Sequence, residues 1–107
     1  MDNLDPHVIN LDARRKGHLN ESFLAMFGGA IQMLLTRMFT GAESPMKIKG
    51  TPSQIAAFGD ALAKEKKYME SFMDHGLSDP HSFTSRHELE QAVAKFERET
   101  GILWPFR

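Results

Sequence analysis

The side chains in this sequence with the most chemical versatility are its five histidines, and three potential ligands stand close together: His75, Asp79 and His81, with His87 further along. Imidazole nitrogen and carboxylate oxygen together suit Zn²⁺ and neighbouring transition metals. The spacing matches no established site, since neither an HExxH pair nor an EF-hand loop is present. The sequence therefore reads these groups as turn and capping residues, and it assigns no metal ligand and no cofactor.

Acid–base catalysis needs two titratable groups converging on one pocket. The carboxylates Asp60, Glu65, Glu70 and Asp74 fall on one predicted helix, and Glu88, Glu90, Glu97 and Glu99 on the next. Lysines and arginines are interleaved among them, which is the pattern of solvated helix faces. Ser22, Ser71 and Ser85 lack the strand–turn–helix setting of a nucleophile elbow. Gly28-Gly29 lacks the lysine and the strand of a phosphate-binding loop. No catalytic residue is assigned, and the chain is expected not to be an enzyme.

Lys47, Lys49, Lys64, Lys66 and Lys67, with Arg14, Arg15 and Lys16, offer a basic surface, and Tyr68 a ring on which a base could stack. Thirteen basic against fourteen acidic residues leave a net charge of −1, which opposes generic coating of nucleic acid. Nucleic-acid binding therefore ranks below protein binding. The absence of cysteine removes disulfides, thiolate metal sites and cysteine nucleophiles. Met1-Asp-Asn-Leu-Asp-Pro lacks the basic and apolar regions of a secretion signal, so export by that route is not expected.

The elements that must position these groups are helical. The 107 residues, 41% hydrophobic and 25% charged, fit one globular unit. Residues 1–19 read as an extended arm, and 20–107 as a single all-α domain of three helices near 21–39, 52–75 and 86–100. The first helix follows an Asn20 cap and is apolar around much of its girth, more than two amphipathic helices can cover. Its length of apolar chain, interrupted by Gln32 and Arg37, is too short to be read as a membrane span. Met46-Lys47-Ile48-Lys49 alternates like a short edge strand, with Val8 to Leu11 as its pairing partner. Thr51-Pro52-Ser53-Gln54 is a capping box with proline at the first helical position. Ile55, Phe58, Leu62, Met69 and Phe72 should then face the core, while Glu65 and its lysine neighbours face water. Gly59 offers close packing, and Gly76 stops the helix. Ser85 with Glu88 reads as a second capping box, with Leu89, Ala92, Val93 and Phe96 as the apolar face that follows. Thr100-Gly101 ends that helix, and Ile102, Leu103, Trp104 and Phe106 form a tail folded back on the core.

The stretch GTPSQIAAFGDALAKEKKYMESF, then GLSDP, then KFERETGILWPF resembles small uncharacterised proteins of tailed bacteriophages, over residues 50–106. The resemblance implies a phage setting, in the host cytoplasm or the virion, and carries no catalytic residue. The expected function is non-catalytic protein binding or assembly. It takes the form of a minor virion component that self-associates or packs among other subunits, or of an accessory protein that binds and inhibits a host factor. The surplus apolar surface of the first helix places the expected interface at Phe27, Met33 and Arg37, joined by Arg14 and Arg15 of the arm. Phe27 is the apolar anchor, Met33 an adaptable filler, and the arginines a charged rim.

Overall fold

A computed structural model describes residues 8–12, 21–41, 47–76 and 79–106 of the chain. Two long helices form its frame. Helix α2 (Pro52–His75) starts at the expected capping box: the Gln54 amide donates to Thr51 Oγ1 at 3.1 Å, and the Thr51 amide to Gln54 Oε1 at 2.9 Å. Helix α3 (Pro80–Thr100) runs back antiparallel to it. Contacts along the pair set the register. Gln54 Nε2 donates to the Glu99 carbonyl, Lys67 Nζ meets Glu88 Oε1, and the hydroxyls of Ser71 and Ser85 lie 2.9 Å apart. At the closed end Ser82 Oγ donates to the Gly76 carbonyl at 2.6 Å. Gly76 takes φ 80° and ψ 174°, a conformation essentially restricted to glycine.

Helix α1 (Glu21–Thr40) passes unbroken through Gly28-Gly29. It turns Phe27, Ala30, Ile31, Leu34 and Leu35 into the core, with Met38 packed at the edge. The side chain of Phe23 and the cap at Asn20 lie outside the described residues. One aromatic ring from each helix meets at the centre, joined by one from the tail. Phe27 stacks on Phe96 at 6.0 Å, Phe58 lies 5.9 Å from Phe96, and Trp104 sets its edge on Phe96 at 5.3 Å. Rings at such separations contribute attraction beyond their burial, and as the bulkiest part of the core they hold the three helices in one arrangement.

The expected pairing of the arm with the connector is present. Strand β1 (Val8–Asn10) runs parallel to β2 (Lys47–Lys49), with Ile9 opposite Ile48, and the Leu11 amide extends the ladder to the Lys49 carbonyl. Parallel strands need a long crossover, and α1 supplies it. The ribbon's purpose is visible in its burial: Ile9 and Leu11 are 3% and 0% exposed, plugging the core from the side. The remainder of the arm, residues 1–7 and 13–19, is outside the described residues.

The tail closes the domain as expected. Gly101 is left-handed (φ 74°, ψ 7°), and its amide donates to the Glu97 carbonyl. Thr100 Oγ1 donates to the Phe96 carbonyl and accepts from the Ile102 amide, and Glu97 Oε2 accepts from the Trp104 amide. Ile102 and Trp104 are buried, while Leu103 points to water. Gly28 of α1 faces Pro105 of this tail, where a Cβ would stand 3.6 Å away, an ordinary contact.

Four expectations are corrected. Helix α3 begins at Pro80, not near Ser85, because Asp79 caps it: Asp79 Oδ1 accepts from the His81 amide at 2.8 Å, with proline at the first helical position. Ser85 is instead a buried mid-helix residue that packs on Ser71. Glu65 is 4% exposed and belongs to the core rather than to the solvated face. Ile55 lies off the buried stripe, and Phe72 lies on it but beyond the reach of its cover; they are 39% and 45% exposed. A Cβ on Gly59 would meet nothing within 4 Å, so that glycine serves no close packing. Among the described residues no helix is long and apolar enough to cross a membrane.

Candidate functional site

Helix α2 carries an apolar line, Phe58, Leu62, Met69 and Phe72, longer than the body that packs on it. Phe58 and Leu62 are buried, Met69 is half-buried, and Phe72 and Met73 are open to solvent, Met73 at 65%. Phe39, in the last turn of α1, flanks the open end and is itself 40% exposed. Together with Glu65 and Tyr68 they line an open groove of about 560 Å³. Its rim is charged. Lys66 Nζ lies 5.2 Å from the centre of the Phe39 ring and pairs with Glu70 at 2.8 Å. The cation thus covers one face of the Phe39 ring without filling the groove.

Glu65 forms the floor. Its Oε1 accepts a hydrogen bond from the Trp104 indole Nε1 at 2.8 Å in a buried setting. Burial raises the carboxyl above the ordinary glutamate range, and the indole N–H offsets part of that rise. Tyr68 separates this groove from a second cleft of about 480 Å³ between α2, α3 and the tail, lined in part by Arg86, Glu90, Trp104 and Phe106. A perturbed carboxyl beside a cleft is a recognised mark of functional sites. In this case its hydrogen-bond partner is a structural tryptophan, which assigns Glu65 to the support of the tail.

Among the described residues expected to form an interface, Met33 and Arg37 stand one turn apart on α1, and Phe27 does not share their surface. Phe27 is 3% exposed at the centre of the aromatic cluster, so its ring is unavailable to a partner. Core packing takes it because α1 needs an aromatic opposite Phe96. Met33 is 39% exposed on the flank of α1 away from the groove, and Arg37 is half-buried. Arg14 and Arg15 lie outside the described residues. The lysines of α2 are each engaged with a carboxylate: Lys64 with Asp60 at 3.5 Å, Lys66 with Glu70, and Lys67 with Glu88 at 3.0 Å. The Lys67 pair holds the Glu88 carboxyl below its usual range. That pairing works against a basic face for nucleic acid.

The sequence reasoning missed Phe39, Phe72 and Met73 as surface residues and Glu65 as a buried one. Glu65 had a signal, because it sits three residues beyond Leu62 and four before Met69, on the apolar line itself. The exposure of Phe72 had none, since periodicity shows which residues share a face and not where the opposing element ends. The fold and site define a three-helix, all-α protein with an uncovered apolar groove among its described residues. Comparison with family models, curated proteins and solved structures finds no match to this chain.

Proposed function

We propose that this protein is a non-catalytic interaction and assembly module that associates with further copies of itself through the groove of Phe39, Met69, Phe72 and Met73. The observation that carries this reading is the contiguous exposure of large apolar side chains at the end of α2. Patches of this kind mark contact surfaces more often than solvent-facing ones. Methionine and phenylalanine side chains suit a contact that must adapt to its partner.

A second copy is favoured by the order of charges along α2. Lys64, Lys66 and Lys67 precede the apolar end, while Glu70 and Asp74 lie within it. These lysines pair with carboxylates of their own chain, and a two-fold contact with antiparallel α2 helices would bring the lysines of each copy towards Glu70 and Asp74 of the other, so that such pairs could be exchanged across the contact. Such a contact is self-complementary and closed. In the tailed-phage setting implied by the resemblance, this behaviour suits a minor virion or assembly component.

Sedimentation velocity over a wide concentration range tests the proposal, with Phe72→Asp and Met73→Asp as variants. The wild type is expected to dimerise as concentration rises, and either variant to remain monomeric with unchanged helical circular dichroism. A wild type that stays monomeric throughout the range overturns self-association. So does a dimer that both variants preserve.

A further inference from the structure

Where α2 ends and α3 begins, three potential ligands that are close in the sequence are also close in space. His75 is the last residue of α2, Asp79 is the cap of α3, and His81 lies in the first turn of α3. One ligand atom from each, an imidazole nitrogen or a carboxylate oxygen, lies within 4.8 Å of the other two. The two imidazole rings stack at 4.7 Å with 21° between their planes, and His81 Nδ1 is 2.7 Å from Asp79 Oδ1. We propose that His75, Asp79 and His81 form a binding site for a divalent transition-metal ion, with Zn²⁺ the best match.

The chemistry of the donors favours this ion class. Two imidazoles and one carboxylate are a donor set that Zn²⁺ accepts in tetrahedral sites, with a fourth position left open to water. Bonds of about 2.0–2.1 Å place tetrahedral ligand atoms roughly 3.3 Å apart, so the His81–Asp79 pair at 2.7 Å must open while wider separations in the cluster, up to 4.8 Å, must close. Both histidines are exposed, so their rings can shift towards an ion once their mutual stacking and the His81–Asp79 contact give way. The carboxylate is less free. Its Oδ1 is held by the His81 amide at 2.8 Å, which aims it across the turn.

The helix ends that carry the cluster are also tied to each other. Ser82 Oγ bonds to the Gly76 carbonyl at 2.6 Å, and Ser71 bonds to Ser85, so the end of α2 and the start of α3 keep their spacing before any ion arrives. A site assembled in advance loses less conformational freedom on binding. The ion would replace the proton between His81 and Asp79 and tie the two helices together at their closed end. It would thereby stabilise the hairpin by mass action. The spacing HxxxDxH falls outside the familiar metal motifs, so the sequence offers these ligands without assigning a site, and the distances between them carry the assignment.

The test uses the full chain without an affinity tag, titrated with ZnCl₂ by calorimetry and with CoCl₂ by visible absorption. One ion per chain is expected, with a tetrahedral Co²⁺ spectrum and a raised melting temperature in excess Zn²⁺. His75→Ala and His81→Ala should each weaken binding about tenfold or more. His87→Ala, a histidine outside the cluster, should bind like the wild type. All three positions are exposed, so circular dichroism can confirm that each variant is folded before its titration is read. Absence of saturable binding overturns the site, as does binding that survives both His75→Ala and His81→Ala.

Discussion

Pairing a buried carboxylate with a tryptophan indole makes a sharp prediction about the C-terminal tail. Glu65 and Trp104 are separated by thirty-nine residues in sequence and joined by one 2.8 Å hydrogen bond in the core. Trp104→Phe keeps a ring against Phe96 but removes the donor, leaving a buried carboxylate oxygen unsatisfied at a cost of about 1–3 kcal/mol. Glu65→Leu strands the indole N–H at a similar cost, offset in part because a desolvated carboxyl is removed. The double variant replaces both partners by apolar groups and should lie within about 1 kcal/mol of the wild type. A coupling of about 1.5–3 kcal/mol therefore separates the double variant from the sum of the singles. Urea unfolding followed by far-ultraviolet circular dichroism measures all four proteins, which matters because Trp104 is the only tryptophan.

The same pair sets a pH dependence. The Glu65 carboxyl is raised in the folded state, so between the ordinary glutamate value and the raised one the native protein holds more protons than the unfolded chain. Stability therefore falls as pH rises through that window, and the full cost of the buried charge is present above it. Subtracting the curve of Glu65→Leu from that of the wild type isolates this fall. Effects of the two single changes that add to within about 0.5 kcal/mol, or a difference curve that rises with pH, would refute the reasoning.

Gly50→Ala tests the seat of the strand ribbon. Its Cβ would stand 2.8 Å from Gln54 Oε1 and 3.1 Å from Leu11 Cβ, so it should lower stability by about 1–3 kcal/mol in urea unfolding. An unchanged midpoint would show that the capping box and the arm yield easily. Hydrogen exchange tests where α3 begins. The amides of Thr84 and Ser85 should be protected, and Asp79→Ala should lower that protection while Ser85→Ala largely preserves it. The Asp79 carboxyl is held below its usual range, so its capping contribution should persist through mildly acidic pH and disappear only as pH falls through that lowered value.

Local chemistry was legible wherever the signal lies within one turn of chain. The Thr51-Pro52-Gln54 box, the Gly101 stop and the fold-back of Ile102 and Trp104 all stand as the residues imply. The start of α3 was legible too, since Asp79-Pro80 carries the same logic as Thr51-Pro52. Ser85 and Glu88, three residues apart, imitate a capping box in type only, and burial against Ser71 decides the matter.

By itself the sequence determined three helices, their stops, a strand-like arm and a tail anchored by aromatics, because these follow from backbone preference and periodicity over neighbouring residues. Only the tertiary structure decided which apolar residues remain uncovered. It drew Phe27 into the aromatic centre and left Phe72 and Met73 at an open end, since α2 extends beyond the elements that pack on it. It likewise buried Glu65 beside Trp104. These outcomes depend on where separate helices end relative to each other, a distance in space that no local pattern of residues encodes.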